Sequence, residues 1–355
     1  MFCRSIILAF ALLLLTINLA AHEADSSAEK KGKPIVQVFT SMYYNPTGEK
    51  KLGFGIGRAH LGYQYKFDDH FLAKIVLDRG RPTTVGSLLV TDSVGNQYQL
   101  FGTISNGSYY SMTLKFAFLQ WKMNDHLKIQ AGSILQDHYI TQERFWGYRY
   151  VAETFIDRYY HIPSGDLGII AYYQFNKKFG IDFAVTNGEG FRFDQDALGK
   201  VKIAAGVNLN FIKNLQLRVY YKNKASSDSI NIANEQLFAF FAGYKYRELF
   251  RIGFEFNYML SYLNVKNFNS GGISVYGSVR VWKKWNAYAR YDLVKYDKSD
   301  EGNRQTLVFN GGNAVITGIQ YSPISKINLS LNYQGWLTPE QSNINLLLLS
   351  LEFKI

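Results

Sequence analysis

From Pro34 onward, apolar and polar residues take turns along the chain with a period of two, which is the spacing of a strand with two unlike faces and fits no helix. At 347–355, Leu347, Leu349, Leu351, Phe353 and Ile355 share one face, and Leu348, Ser350, Glu352 and Lys354 share the other. The split recurs at 201–211, where Val201, Ile203, Val207, Leu209 and Phe211 oppose Lys202, Gly206, Asn208 and Asn210, and again at 214–222 and 325–335. Continued along the chain, the pattern predicts 16 strands: 34–45, 52–66, 70–79, 110–122, 126–134, 165–175, 179–187, 199–211, 214–224, 236–246, 249–261, 271–283, 285–296, 311–321, 325–335 and 344–355. Segments 34–45, 110–122 and 165–175 carry apolar residues on both faces.

The connections add a second regularity, because tight and long ones alternate. Tight turns fall at 67–69, 123–125, 176–178, 212–213, 247–248, 284 and 322–324, and longer loops at 46–51, 80–109, 135–164, 188–198, 225–235, 262–270, 297–310 and 336–343. Short periplasmic turns, long extracellular loops and an even strand count are the layout of an antiparallel transmembrane β-barrel, and they place both termini in the periplasm. The six prolines, at 34, 46, 82, 163, 323 and 339, fall in loops, in turns or at a strand start, where no ladder hydrogen bond is lost. A soluble all-β fold with an apolar core would show the same alternation. The last strand, able to pair with the first and close the ring, favours the membrane barrel.

The N-terminus sets the compartment. Arg4 precedes the apolar run 6–15, which ends in the small pair Ala20-Ala21, so 1–21 is expected to be a cleaved signal peptide. Thr16 and Asn18 interrupt the run too early for a span of roughly 20 residues. Residues 22–33 form a polar periplasmic lead-in, and 34–355 the barrel of the cell outer membrane. The single cysteine, Cys3, lies in the removed segment, so the mature chain has no disulfides or thiolate metal sites. The 26 Tyr and 26 Phe suit two interfacial aromatic girdles.

A barrel of 16 strands is wide enough to enclose water, so a pore is the expected function. Charge then refines the picture: 39 Lys+Arg stand against 28 Asp+Glu, and on the strand faces assigned to the lumen basic residues outnumber acidic ones by 11 to 5. Basic walls favour small anionic solutes. Arg58, Lys74, Arg218, Arg280 and Arg290 lie well inside their strands and are expected along the ion path; Lys128, Lys245 and Arg251 share the lumen faces but sit near turns, where the rival reading is that they only solvate the rim. Loop 135–164 is long enough to have a function of its own, and folded inward it would narrow the channel with Arg144, Arg149 and Arg158, held by Glu143, Glu153 and Asp157. Loop 80–109, rich in Gly, Ser, Thr and Asn, is expected to be flexible and exposed.

The block Ile56-Gly57-Arg58-Ala59-His60-Leu61-Gly62-Tyr63-Gln64-Tyr65-Lys66-Phe67, followed by Leu72-Ala73-Lys74-Ile75-Val76-Leu77-Asp78, resembles strands two and three of the phosphate-selective porin O and P family. Phe183-Ala184-Val185-Thr186-Asn187-Gly188-Glu189-Gly190-Phe191 is similar to the end of that family's strand seven, and 127–132 with Glu143-Arg144-Phe145 to its strand five and constriction loop. The resemblance implies a 16-stranded homotrimeric porin with an inward third loop and a basic path. The arginines here form no run that aligns with the family's phosphate-binding ladder.

Other functions find little support. HExxH, GxSxG, CxxC and P-loop patterns are missing, and the six histidines, at 22, 60, 70, 126, 138 and 161, are scattered. Catalytic residues, a cofactor, a bound metal and nucleic-acid binding are therefore not expected. The alternative is a barrel whose surface is enzymatic, for instance around His138 or His161, or adhesive.

Overall fold

The computed structural model describes residues 31–46, 51–80, 88–91, 97–100, 111–160, 162–191, 195–196, 198–226, 233–297, 311–337 and 344–355. Signal segment 1–21, lead-in residues 22–30, His161, and most of loops 80–109, 297–310 and 336–343 lie outside the described residues.

The strands are β1 (Gly32–Tyr44), β2 (Leu52–Lys66), β3 (Phe71–Gly80), β4 (Leu88–Thr91), β5 (Gln97–Leu100), β6 (Ser111–Lys122), β7 (Leu127–Leu135), β8 (Gly165–Asn176), β9 (Phe179–Thr186), β10 (Lys202–Leu209), β11 (Leu215–Lys224), β12 (Glu235–Tyr246), β13 (Phe250–Leu260), β14 (Ser270–Trp282), β15 (Trp285–Tyr296), β16 (Gly312–Ile324), β17 (Ile327–Leu337) and β18 (Ile344–Lys354). Sixteen of them pair antiparallel in chain order and close into a barrel, with β1 against β18. The closing register runs from Gln37 opposite Lys354 to Tyr44 opposite Leu347, and the Ile355 N–H donates to the Val36 carbonyl at 3.0 Å. The first strand begins at Gly32, inside the segment expected as lead-in, and β16 continues to Ile324 through the residues expected to turn. β4 and β5 pair only with each other, so the loop expected to be merely flexible carries a small hairpin.

Burial separates the two architectures that alternation left open. On β9, Asp182 and Thr186 are 4% and 3% exposed while Phe183 between them is 50% exposed. On β13, Glu255 and Asn257 are 2% and 0% exposed, against 53% for Ile252. Polar side chains thus face the interior and apolar ones the outside, the reverse of a water-soluble protein. Each large apolar side chain left in water forgoes roughly 1.5–3 kcal/mol of burial, so an apolar outer band of this kind suits lipid. No helix among the described residues is long and apolar enough to cross a membrane, and the spans are strands.

The tight turns repeat one device. Asp68 Oδ1 accepts from the backbone N–H of His70 and Phe71, Asn124 Oδ1 from His126 and Leu127, and Asn176 Oδ1 from Lys178 and Phe179. An Asx side chain that satisfies the N–H groups of the returning strand fixes both the turn and the register. Beside these turns stand aromatic pairs on the outer surface, Phe71 on Trp121, Tyr173 on Phe175 and Trp285 on Tyr321, forming a girdle at that end.

Candidate functional site: the filled lumen and its basic mouth

The segment between β7 and β8 folds into the barrel. It starts at the loop end, where the Gln136 N–H donates to the Ser164 carbonyl at 3.1 Å, and continues into α1 (Asp137–Trp146). Ten helical residues descend about 15 Å, and the bottom of α1 meets Arg251, a residue just past the β12–β13 turn, whose Nη1 donates to the Phe145 carbonyl at 3.0 Å. The loop therefore forms a column along one side of the lumen, reaching almost to the turn end. Gly147 stops α1 with φ +70° and donates to the Glu143 carbonyl, closing the helix in the left-handed conformation that glycine tolerates. A Cβ there would lie 2.4 Å from Arg251 Nη1, so the same glycine makes room for the guanidinium. The chain then climbs through Tyr148 to Tyr150 and α2 (Phe155–Tyr159).

Wall strands grip this column over half the circumference. His138 stacks on Tyr220 of β11, Phe145 packs edge-on against Phe241 of β12, and Trp146 meets Tyr276 of β14 and Tyr288 of β15. Tyr159 Oη donates to Asp292 of β15 at 2.7 Å, Tyr150 Oη to Gln320 of β16 at 2.9 Å, and Gln334 of β17 donates to the Val151 carbonyl at 2.9 Å. Across the lumen Arg58 of β2 makes a two-pronged ion pair with Glu143, at 2.9 and 3.1 Å, while its guanidinium lies over Phe39 of β1. Such forked charge-assisted bonds fix orientation as well as position.

The eight expected path residues divide into distinct environments. Arg58 is buried in the Glu143 pair, and Arg149 is gripped by Glu143, Glu153 and Asp157 at 3.3, 3.3 and 2.7 Å. Arg158 lies half-buried by Tyr159, its Nη1 3.5 Å from Gln334. Arg218 and Arg290, expected along the water path, are 0% and 3% exposed and paired with Asp182 and Asp292, because lumen depth near the loop column is protein. Lys74 is half-buried on β3, within electrostatic reach of Arg144, whereas Arg144 and Arg280 are exposed.

Arg144 and Arg280 meet in a cavity of about 440 Å³ beneath the column, at the turn end. Seven basic side chains line it, Arg144 and Arg149 from the loop and Lys245, Arg247, Arg251, Arg280 and Lys354 from the wall, against the acidic Glu143, Glu248 and Glu352. Arg251, inward-facing and near a turn as its position in the sequence implies, has a role there that sequence reasoning missed. Strand parity with Glu255 and Asn257 sends it inward, but nothing local says that a helix end waits there to accept its hydrogen bond.

Glu143 ties the column to the opposite wall, and its titration follows from its neighbours. Burial works to raise the carboxyl, but Arg58 and Arg149 outweigh it and hold it at about 2. A carboxyl depressed from its ordinary value near 4.3 contributes stability that is complete above that value, declines as the pH falls, and is gone below the folded value. Wild-type protein in detergent should accordingly resist pepsin at Phe145 and Trp146 at pH 4 and become cleavable towards pH 2, whereas Glu143→Gln should be cut at both. Equal cutting of the wild type at the two pH values would refute the tether.

No family model matches the chain, and no characterised protein matches it in sequence. Solved structures do match in fold. The barrel is similar to an anion-selective porin from Comamonas acidovorans (10% identity, 91% of this chain and 99% of that one, TM-score 0.66). It is also similar to the outer membrane channel DcaP of Acinetobacter baumannii (12%, 91% and 97%, 0.59) and to the trimer form of OmpT from Vibrio cholerae (12%, 91% and 99%, 0.56). At these identities the likeness establishes the fold alone, a closed 16-stranded antiparallel barrel. It does not single out the phosphate-selective porins that β2 and β3 resemble.

Proposed function

We propose that the chain is an outer-membrane porin, exported by the signal peptide at 1–21 and forming a narrow passage for small solutes with a preference for anions such as phosphate. The inside-out burial carries the membrane reading, and the single observation that carries the pore is the open, charged cavity beneath an inward loop in a barrel of 16 strands. Anion preference is supported by the seven-to-three basic excess around that cavity, since fixed charge on low-dielectric walls concentrates counter-ions. The chain acts as a channel and not as an enzyme: His138 is enclosed by Tyr220 and Gln142, and the Asp78 carboxylate that meets His60 is shared with Lys115. A homotrimer is the assembly favoured, in keeping with the trimer form of the Vibrio cholerae barrel. With short turns at the periplasmic end, the basic cavity is the periplasmic vestibule.

Reconstitution in a planar bilayer tests the proposal. Discrete conductance steps are expected, with a reversal potential in a salt gradient on the anion side. Arg144→Gln with Arg149→Gln should move that potential towards cations, because Glu153 and Asp157 then lose their counter-charge. A potential that stays put would retire the role given to these two arginines.

A further inference from the structure

We infer that the periplasmic vestibule is a binding site for a small hydroxylated organic anion, held through a carboxylate or phosphate group by Arg251 and Arg144. The inference rests on the proposed orientation and deepens the pore reading by giving it a solute.

Carboxylates neutralise most of the interior cations. Lys115 has Asp78, Lys202 has Asp166, Arg218 has Asp182, Lys222 has Glu235 and Arg290 has Asp292. At the vestibule Arg149 is taken by its three acids, and Glu248 serves Lys245 at 2.8 Å and Arg280 at 3.7 Å. Arg144, Arg247, Arg251 and Lys354 differ, since none of these lining cations has a carboxylate within 4.0 Å among the described residues, and of the four Arg251 is the one held by several hydrogen bonds while Arg144 comes from the inward column. The partners that Arg251 does have are neutral and fix it in place: Nε donates to Ser278 Oγ, Nη1 to the Phe145 carbonyl, and the guanidinium lies 5.0 Å over the Tyr148 ring. Nη2 makes no hydrogen bond among the described residues and lies beside Gly147, which also lines the cavity. A guanidinium that is held rigid with no carboxylate in ion-pair contact is organised in advance for an oxyanion, and little ordering remains to be done when one arrives.

Size and lining narrow the class. About 440 Å³ exceeds what an inorganic ion fills and falls in the range of roughly 300–1,000 Å³ typical of small-molecule sites. Beside Leu249 and Phe250 the remaining lining is mostly polar, with the carboxamides of Gln37, Asn286, Gln320 and Asn328 and the Ser278 hydroxyl, groups that both donate to and accept from hydroxyls.

The test uses the full chain, refolded in detergent for calorimetry and reconstituted in bilayers of known orientation. Four probes are compared: gluconate, glucose 6-phosphate, inorganic phosphate and glucose. Gluconate or glucose 6-phosphate should bind at least tenfold more tightly than glucose and than inorganic phosphate, and the preferred one identifies the acid group. Arg144→Gln, which removes an exposed side chain, should weaken that binding at least tenfold, while Arg251→Lys, which keeps charge and loses the fork, should weaken it less than Arg251→Gln. In bilayers the same anion should block current when added to the turn end, at concentrations tenfold below those needed from the loop end. Binding of glucose equal to that of the anions, or affinity indifferent to Arg144→Gln, overturns the site. Calorimetric binding in a barrel that never conducts would leave the site standing and remove the pore; conduction with no binding would do the opposite.

Discussion

Excising the inward column, residues 138–160, with a short glycine-containing bridge from Asp137 to the chain before β8 should raise single-channel conductance severalfold. The junction is geometrically easy, because Gln136 and Ser164 already meet at 3.1 Å at the loop end. β7 and β8 pair directly from Leu127 opposite Tyr173 to Leu135 opposite Gly165, so the ladder does not depend on the column. What the excision removes is lumen filling: Trp146, Tyr148, Phe155 and Tyr159 are all buried against the wall. The wall partners Arg58, Asp292 and Gln334 would then face water, which charged and amide groups accept at small cost compared with being left unpaired in a dry interior. The excised barrel should thus still fold, behave as a wide aqueous pore and lose part of its ion preference along with Arg144 and Arg149. Unchanged conductance in a folded excision variant would mean that the passage is narrowed elsewhere.

The barrel was legible in the sequence because period-two alternation is a local signal, repeated in strands such as 201–211 and 347–355, and because a turn that needs Asp68 or Asn124 at its start advertises itself. Loop 135–164 was legible as a long insertion with charged and aromatic residues, and the convergence of Glu143, Glu153 and Asp157 on Arg149 follows from charges of opposite sign placed within a few residues on a compact segment. What sequence could not supply was depth. Strand parity says that Arg58, Arg218, Arg280 and Arg290 face inward, but whether an inward side chain meets water or protein depends on how far the column descends. That depth is set by long-range contacts, Arg251 with Phe145 and Gln334 with Val151 among them. Local periodicity likewise carries no sign of the β4–β5 hairpin, whose strands pair only with each other.

The largest loss of stability should come from Asp182→Ala. Arg218, 0% exposed on β11, makes two bonds to the Asp182 carboxylate on β9, at 2.6 and 2.9 Å, and the pair arches over Gly206 on the intervening β10. A Cβ on Gly206 would stand 2.1 Å from Arg218 Nη2 and 2.6 Å from Asp182 Oδ2, so the missing side chain is what lets the two charges meet. Removing the carboxylate strands a buried guanidinium, at a cost of about 3–5 kcal/mol. The sign of the companion variants separates charge from packing. Asp182→Ala with Arg218→Met takes away both charges and should recover most of the loss, since a buried pair exchanged for apolar groups is often nearly neutral. Gly206→Ala keeps both charges and pushes them apart, so it should fall between the wild type and Asp182→Ala. Unfolding midpoints in detergent, followed by the shift from compact to extended migration on heating, would rank the four proteins. If the double variant unfolds as early as the single one, the pair is not holding β9, β10 and β11 through its charges, and shape alone accounts for that wall.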